Sequence, residues 1–401
     1  MKRLNKNKGI TLVALIITII VLLILAVVAI RAVQGDGIIR YAKNAKTEYQ
    51  AVQVNEDATL DSYLTKLDEN AGNGEGGDTG TALTVAEAQT KGVLSTTSNT
   101  EVYDEYGNKI VVPAGFKITT DASHVTEGIV IEDVSAGTET VGSQFVWIPV
   151  GDVYTTTDET KTEENTKTIT LGRYVFSSDG TIDTTLSKTN PSDQLKTSST
   201  STYYYTEGLK DETTTNSHAK DIVTFISSAT TKGGYYLGRY EARTTSSTAR
   251  ASSSDALTTV TSIKANSVYN YVTQAQASER SQSMYVENSN YTSDLVNSYA
   301  WDTAIVFIQT FSGDSDYSRQ NSLNGSLSTT GTENDKVCNI YDMASNCREW
   351  STETSSNSDF PCVSRGDNSG YGYYYTSVRG DSGATSSYGR NSFRPLIYVG
   401  L

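Results

Sequence analysis

Two carboxylates, Asp342 and Glu349, flank a short turn at Ser345-Asn346. Hard carboxylate oxygens so placed could let the loop wrap a Ca²⁺ ion, with backbone carbonyls completing the shell. The competing arrangement has Asp342 capping the turn and Glu349 paired with a neighbouring arginine. Three Cys and two His in the whole chain are too few for a zinc scaffold or a dense disulfide framework. Cys347 and Cys362 bracket a short loop and could close one disulfide in an oxidising compartment, leaving Cys338 free or buried, with packed thiols as the alternative. No Ser-His-Asp arrangement and no G-x-S-x-G elbow is present.

The segment from Arg365 to Arg390, RGDNSGYGYYYTSVRGDSGATSSYGR, is rich in Tyr, Ser, Gly, Asn and Asp. Tyrosine supplies rigid contact area at low entropic cost and Ser and Asn supply adaptable hydrogen bonds, the composition of a recognition surface. Candidate ligand-binding residues are Asn368, Tyr371, Tyr373, Tyr374, Tyr375, Arg379, Tyr388 and Asn391; a polar loop without specificity is the alternative. Tyr is abundant overall, at 26 residues, as suits a surface that must bind and stay soluble. The two Arg-Gly-Asp tripeptides, at Arg365 and Arg379, are too short to denote integrin binding. A net charge of −14 argues against a nucleic-acid partner, whose phosphates need a basic footprint.

The elements that carry these residues begin with a membrane signal. Ile10 to Ile30 contains no charge, and about 21 residues at ~1.5 Å each span roughly 31 Å, close to a bilayer core. Lys2, Arg3, Lys6 and Lys8 precede it without an acid, which keeps the N-terminus cytoplasmic and sends the remainder outside. The run Lys8-Gly9-Ile10-Thr11-Leu12-Val13 resembles a type IV prepilin leader, which implies cleavage after Gly9 and a mature chain starting at Ile10. Ala14 stands at the fifth mature position, where major pilins carry a glutamate, so the resemblance favours a minor or membrane-tethered pseudopilin. Ile39, Ala42, Ala45, Tyr49, Val52, Leu60, Tyr63, Leu64 and Leu67 recur mostly at helical spacing. Residues 1–9 thus read as leader, 10–69 as a hydrophobic pilin-like helix, and the Gly-rich stretch 70–81 as a linker.

Beyond the linker, residues 82–144 read as β-rich, with a hairpin signal at Tyr106-Gly107-Asn108. Ile129-Val130-Ile131 and Phe145 to Val150 read as buried strands. Residues 151–232, dominated by Thr, Ser, Lys and Asp, read as a surface insertion, with a strand at Leu171 to Phe176 whose first four residues recur at Leu237 to Tyr240 as a hint of duplication. Helices are expected over 219–229, stopped by Gly233-Gly234, and from Tyr299 to Phe311, with Trp301, Ala304, Ile305, Ile308 and Phe311 facing a core.

The ordered motifs Val146-Trp147-Ile148-Pro149-Val150, Tyr240-Glu241-Ala242, Asn339 to Trp350, Arg365-Gly366 and Ser392-Phe393-Arg394-Pro395-Leu396 resemble the formylglycine-generating, sulfatase-modifying factor family. That resemblance covers residues 145–401 and implies a variant of the C-type lectin fold. It also implies calcium bound by the side chains of Asp342 and Glu349 and the carbonyls of Ser345 and Cys347. Arg348 and Ser345 depart from the family's usual tryptophan and glycine. The family's oxidases hold copper through two cysteines after the Arg-Gly motif, and here no Cys follows Cys362; an iron-binding branch needs three histidines, and only His124 and His218 exist. The position of residues 365–390 is similar to the variable region of retroelement-diversified lectin-fold proteins. The combined expectation is an α+β protein, a pilin-like transmembrane helix followed by a C-type lectin fold domain. It would be non-enzymatic and bind an extracellular protein or glycan at the cell surface. The alternatives are a structural pseudopilin partnering pilin subunits, and a formylglycine-generating-type oxidase.

Overall fold

The computed structural model describes residues 82–400 except 159, 191–192, 198–203, 208–219, 247–249, 287, 289, 322–324, 333–334, 371 and 373. The expected leader with Gly9 and Ile10, the hydrophobic helix over 10–69, and Tyr371, Tyr373 and His218 lie outside the described residues. Among the described residues no helix is long and apolar enough to cross a membrane. The chain divides into two units between Gly76 and Gly77, and the second is an α+β assembly built on two sheets.

The first sheet has six antiparallel strands in the order Tyr291–Leu295, Pro395–Val399, Gly234–Gly238, Gln144–Pro149, Val130–Asp133, Phe116–Ile118. Its central strands read as unbroken apolar runs because both faces are buried. Phe145, Trp147, Tyr236, Ile397 and Val399 enter one core cluster. The alternate residues Val146, Ile148, Tyr235, Leu237, Leu396 and Tyr398 enter the other, as the two-residue period of a strand requires.

The helices Ile222–Lys232 and Ser298–Phe311 pack on this second face, contributing Phe225, Ala229, Trp301, Ala304 and Ile308. Each is fixed at its start by a side-chain cap: the Asp221 carboxylate accepts from the Thr224 N–H and the Asn297 amide oxygen from the Ala300 N–H. Gly233, at φ 81°, closes the first. Both helices match their expected positions. Tyr235 Oη donates to the Ala300 carbonyl at 2.5 Å, tying sheet to helix.

Cys362–Arg365 and Arg348–Ser355 form the centre of the second sheet, with Arg379–Ser382 at one edge and, along the other side of Arg348–Ser355, Asn391–Phe393 at its start and Tyr205–Glu207 at its far end. Asn391–Phe393 runs parallel to Arg348–Ser355, then Arg394 leads directly into Pro395–Val399 of the first sheet. One residue therefore marks the crossover between sheets.

Several expectations are corrected. Leu171–Phe176 is no strand and forms only isolated bridges at Arg173 and Phe176, so the Leu-Gly-Arg-Tyr recurrence marks no duplicated element. The insertion 151–232 is not confined to the surface, since Arg173 and Leu195 are fully buried and Glu207 accepts from the Ser298 N–H at 2.7 Å. Within the expected β-rich region, Val85–Lys91 is a helix with a Thr84/Glu87 capping box. Tyrosine proves as much a core residue as a surface one: Tyr235, Tyr236, Tyr269, Tyr299 and Tyr317 are fully buried, the hydroxyls of Tyr235 and Tyr236 donating to backbone carbonyls.

Candidate functional site

Arg348–Ser355 and Cys362–Arg365 pair with Glu349 opposite Arg365 and Thr354 opposite Cys362. Cys347 precedes the start of its strand while Cys362 faces the far part of it, so at about 3.3 Å per residue the two lie roughly 20 Å apart, far beyond disulfide reach. The expected Cys347–Cys362 bridge is therefore not formed, and Cys338, Cys347 and Cys362 are all free thiols. Burial pushes the Cys362 thiol up to about 11 and Cys338 up to about 12. Cys347 is held well above its ordinary value by burial and then by Glu241, Glu349 and Asp342. Thiols so protonated are weak nucleophiles and weak metal ligands.

At the expected calcium loop, Glu349 and Asp342 meet protein partners. Glu349 takes Arg394 on both oxygens, Nε–Oε2 at 2.9 Å and Nη2–Oε1 at 2.5 Å, with both side chains fully buried. Asp342 accepts from the Gly331 N–H at 2.6 Å, while its Oδ1 is buried without a hydrogen-bond partner. Burial, and then the nearby Asp335, push the Asp342 carboxyl up to about 8. Ser345 spends its hydroxyl on Asp335 at 2.6 Å, and the Cys347 N–H is taken by Glu241 at 3.0 Å. Among the described residues no group of three His, Cys, Asp or Glu side chains is placed to hold a metal ion. The competing arrangement, Glu349 paired with an arginine, is the one present.

Arg379 is likewise not a surface ligand. Its strand places it directly opposite Arg365, so the two Arg-Gly-Asp tripeptides begin side by side. Both guanidiniums turn inward onto Asp302 of the helix Ser298–Phe311, Arg379 at 2.5 Å. Arg379 Nε also donates to both Glu353 oxygens at 2.9 and 3.0 Å. With Asp302, Glu353 and Arg365 at 0% side-chain exposure and Arg379 at 3%, these four form a buried structural network.

What remains of the expected surface converges elsewhere. Asn368, Tyr388 and Asn391 line a cleft of about 670 Å³. Tyr388 is 54% exposed, as few large side chains here are. Tyr374 and Tyr375 do not line it but stack under arginines, Tyr374 beneath Arg348 at 4.7 Å and Tyr375 beneath Arg319 at 3.5 Å. Of these two tyrosines, Tyr374 thus supports a cleft-lining arginine without lining the cleft itself.

The opposite wall was not anticipated. Arg250, Asn270 and Tyr271 enter from a region without motif, and Leu327, Arg348 and Arg390 complete the mouth. Tyr271 holds φ 53°, a left-handed conformation costly for an aromatic residue and of the kind that gathers at functional sites. Its ring lies against Gly389, where a Cβ would meet the Tyr271 Oη at 2.7 Å. The guanidinium of Arg390 likewise occupies the space a Cβ on Gly370 would need. Sequence signals existed at the Tyr-Gly-Arg end of the 365–390 segment and in the unusual Arg348; Asn270 and Tyr271 gave none.

No protein-family model, no curated protein and no solved structure matches the chain. The site is accordingly interpreted from its own chemistry: an open cleft of aromatic faces, amides and guanidiniums, with thiols and carboxylates buried behind it.

Proposed function

We propose that this chain is a non-enzymatic ligand-binding protein of the cell surface. A pilin-like hydrophobic segment at its N-terminus tethers it to the membrane or inserts it among pilin subunits, and a C-type-lectin-like domain holds the binding cleft outside. The observation that carries this reading is the cleft itself, where exposed Tyr388 stands beside Asn368 and Asn391 at the end of the Tyr/Ser/Asn-rich segment. A rigid aromatic anchor flanked by hydrogen-bonding amides is the composition of a recognition surface. Its location in the last segment before the closing strand supports the likeness to retroelement-diversified proteins.

The lectin-like fold is supported by Arg394, which donates to the carbonyls of Gly238 and Tyr341, both at 2.8 Å, and to Glu349. Two of the segments on which the family resemblance rests, Asn339 to Trp350 and Ser392 to Leu396, therefore meet at one guanidinium, together with the end of the strand Gly234–Gly238. Absence of catalysis is supported by thiols raised by burial and by carboxylates committed to arginines.

The test is a binding screen of the full-length, detergent-solubilised chain against glycan and protein arrays, with Tyr388→Ser and Asn391→Ala in parallel. The reading expects a ligand whose affinity drops at least tenfold, about 1.4 kcal/mol, in either variant at unchanged thermal stability. An empty screen, or a ligand indifferent to both substitutions, would sink it. Oxygen uptake with cysteine peptides and copper would instead revive an oxidase.

A further inference from the structure

The chain as a whole is acidic, with 46 Asp and Glu against 32 Lys and Arg, yet among the described residues the cleft is lined by Arg250, Arg348 and Arg390 and by no carboxylate. We infer that it takes a carboxylate-bearing saccharide, an inference that rests on the ligand-binding reading above and names its ligand class. Three features make three different demands on one ligand.

The first demand is for negative charge. Arg390 is exposed, and among the described residues its guanidinium makes no hydrogen bond or ion pair, only its backbone carbonyl accepting from the Arg348 N–H at 3.0 Å. Arg250 directs its guanidinium at the backbone carbonyls of Asn270, Asp255 and Tyr271, at 3.0, 2.6 and 3.1 Å, so its charge is fixed in place by neutral acceptors. Arg348 is held over the Tyr374 ring, and its charge is partly offset by Asp381, a carboxyl that burial raises and Arg348 opposes, which makes Arg390 the principal reader. A guanidinium fork matches a carboxylate in two parallel bonds.

The second demand is for a donor. Asn270 is 5% exposed; its Nδ2 donates to the Gly389 carbonyl at 2.8 Å, which orients the amide, and its Oδ1 is buried without a partner. A ligand of carboxylates alone offers only acceptors and leaves that oxygen unsatisfied. A sugar hydroxyl satisfies it. The third demand is for a flat apolar face, set by the exposed Tyr388 ring beside Leu327, against which the C–H face of a pyranose packs. Carboxylate, hydroxyl and apolar face occur together on a uronic or sialic acid residue, whereas an acidic peptide such as polyglutamate has the charge and N–H donors without the flat C–H face.

The experiment measures binding of the full-length chain in detergent to polygalacturonate, hyaluronate and polysialate oligomers, each against its methyl ester, with hexaglutamate alongside. At least one carboxylated oligosaccharide is expected to bind, its ester at least tenfold more weakly. Arg390→Gln should weaken it tenfold or more, Arg390→Lys less, and rising salt should weaken wild type more than Arg390→Gln. Arg390 is exposed, so its variants are expected to unfold at the wild-type temperature, and Tyr388→Ser provides a second substitution outside the core. Equal binding of acid and ester overturns the inference while leaving ligand binding intact. Preference for hexaglutamate overturns it in favour of a peptide. Failure of every oligosaccharide overturns it as well, and the wider array then decides the ligand-binding reading separately.

Discussion

Asp302 receives two guanidiniums at the bottom of the second sheet, and the fully buried Glu353 shares them. Removing one acid from such a network strands an uncompensated charge, so Asp302→Ala should cost about 3–5 kcal/mol, read from the urea midpoint. Two other buried acids set a pH dependence. Burial raises Asp294 to about 7 and Asp342 to about 8 from an ordinary 3.8. A raised folded-state value means the native protein holds protons that the unfolded chain has released. The stabilisation is therefore complete below about pH 4 and is lost as pH rises toward 8. Urea midpoints should fall between pH 5 and 8 through these groups, and less steeply in Asp342→Asn; a midpoint rising across that range in wild type but not in the variant would contradict the assignment. At this scale the sequence showed which residues were present but not their partners, since the role of Arg379 depends on an acid on a distant helix.

The helices were legible because their information is local. Asp221 before an apolar-periodic run and Gly233 after it are start and stop signals whose physics needs only neighbouring backbone. Loss of a cap should cost about 1 kcal/mol for Asp221→Ala and up to about 2 for the buried Asn297→Ala, seen in thermal melts. Short strands carried less. Leu171–Phe176 has strand composition but lacks a continuous partner, and only isolated bridges form there. Pairing also decides the cysteines: the register that sets Thr354 against Cys362 carries the latter away from Cys347, a separation that loop length in sequence conceals. Alkylation of the denatured, unreduced chain should accordingly modify all three cysteines; a product with only one modified would restore the disulfide.

Across the whole second unit, Arg394 lies where the chain crosses from one sheet to the other, bonded to Gly238, Tyr341 and Glu349. It ties three stretches of the interior together. Arg394→Gln should lower the melting temperature sharply, whereas Arg390→Gln, four residues away at the exposed mouth, should change binding with little effect on stability. The mixed α+β class, the two capped helices, the buried central strands and part of one cleft wall were fixed by sequence, because periodicity, caps and composition act within a few residues. Asn270 and Tyr271, the burial of the Arg-Gly-Asp arginines, the pairing of Glu349 with Arg394 and the free thiols were decided by tertiary structure alone. Each depends on contacts between segments far apart in the chain, and no local pattern records which distant charge or backbone a side chain will meet.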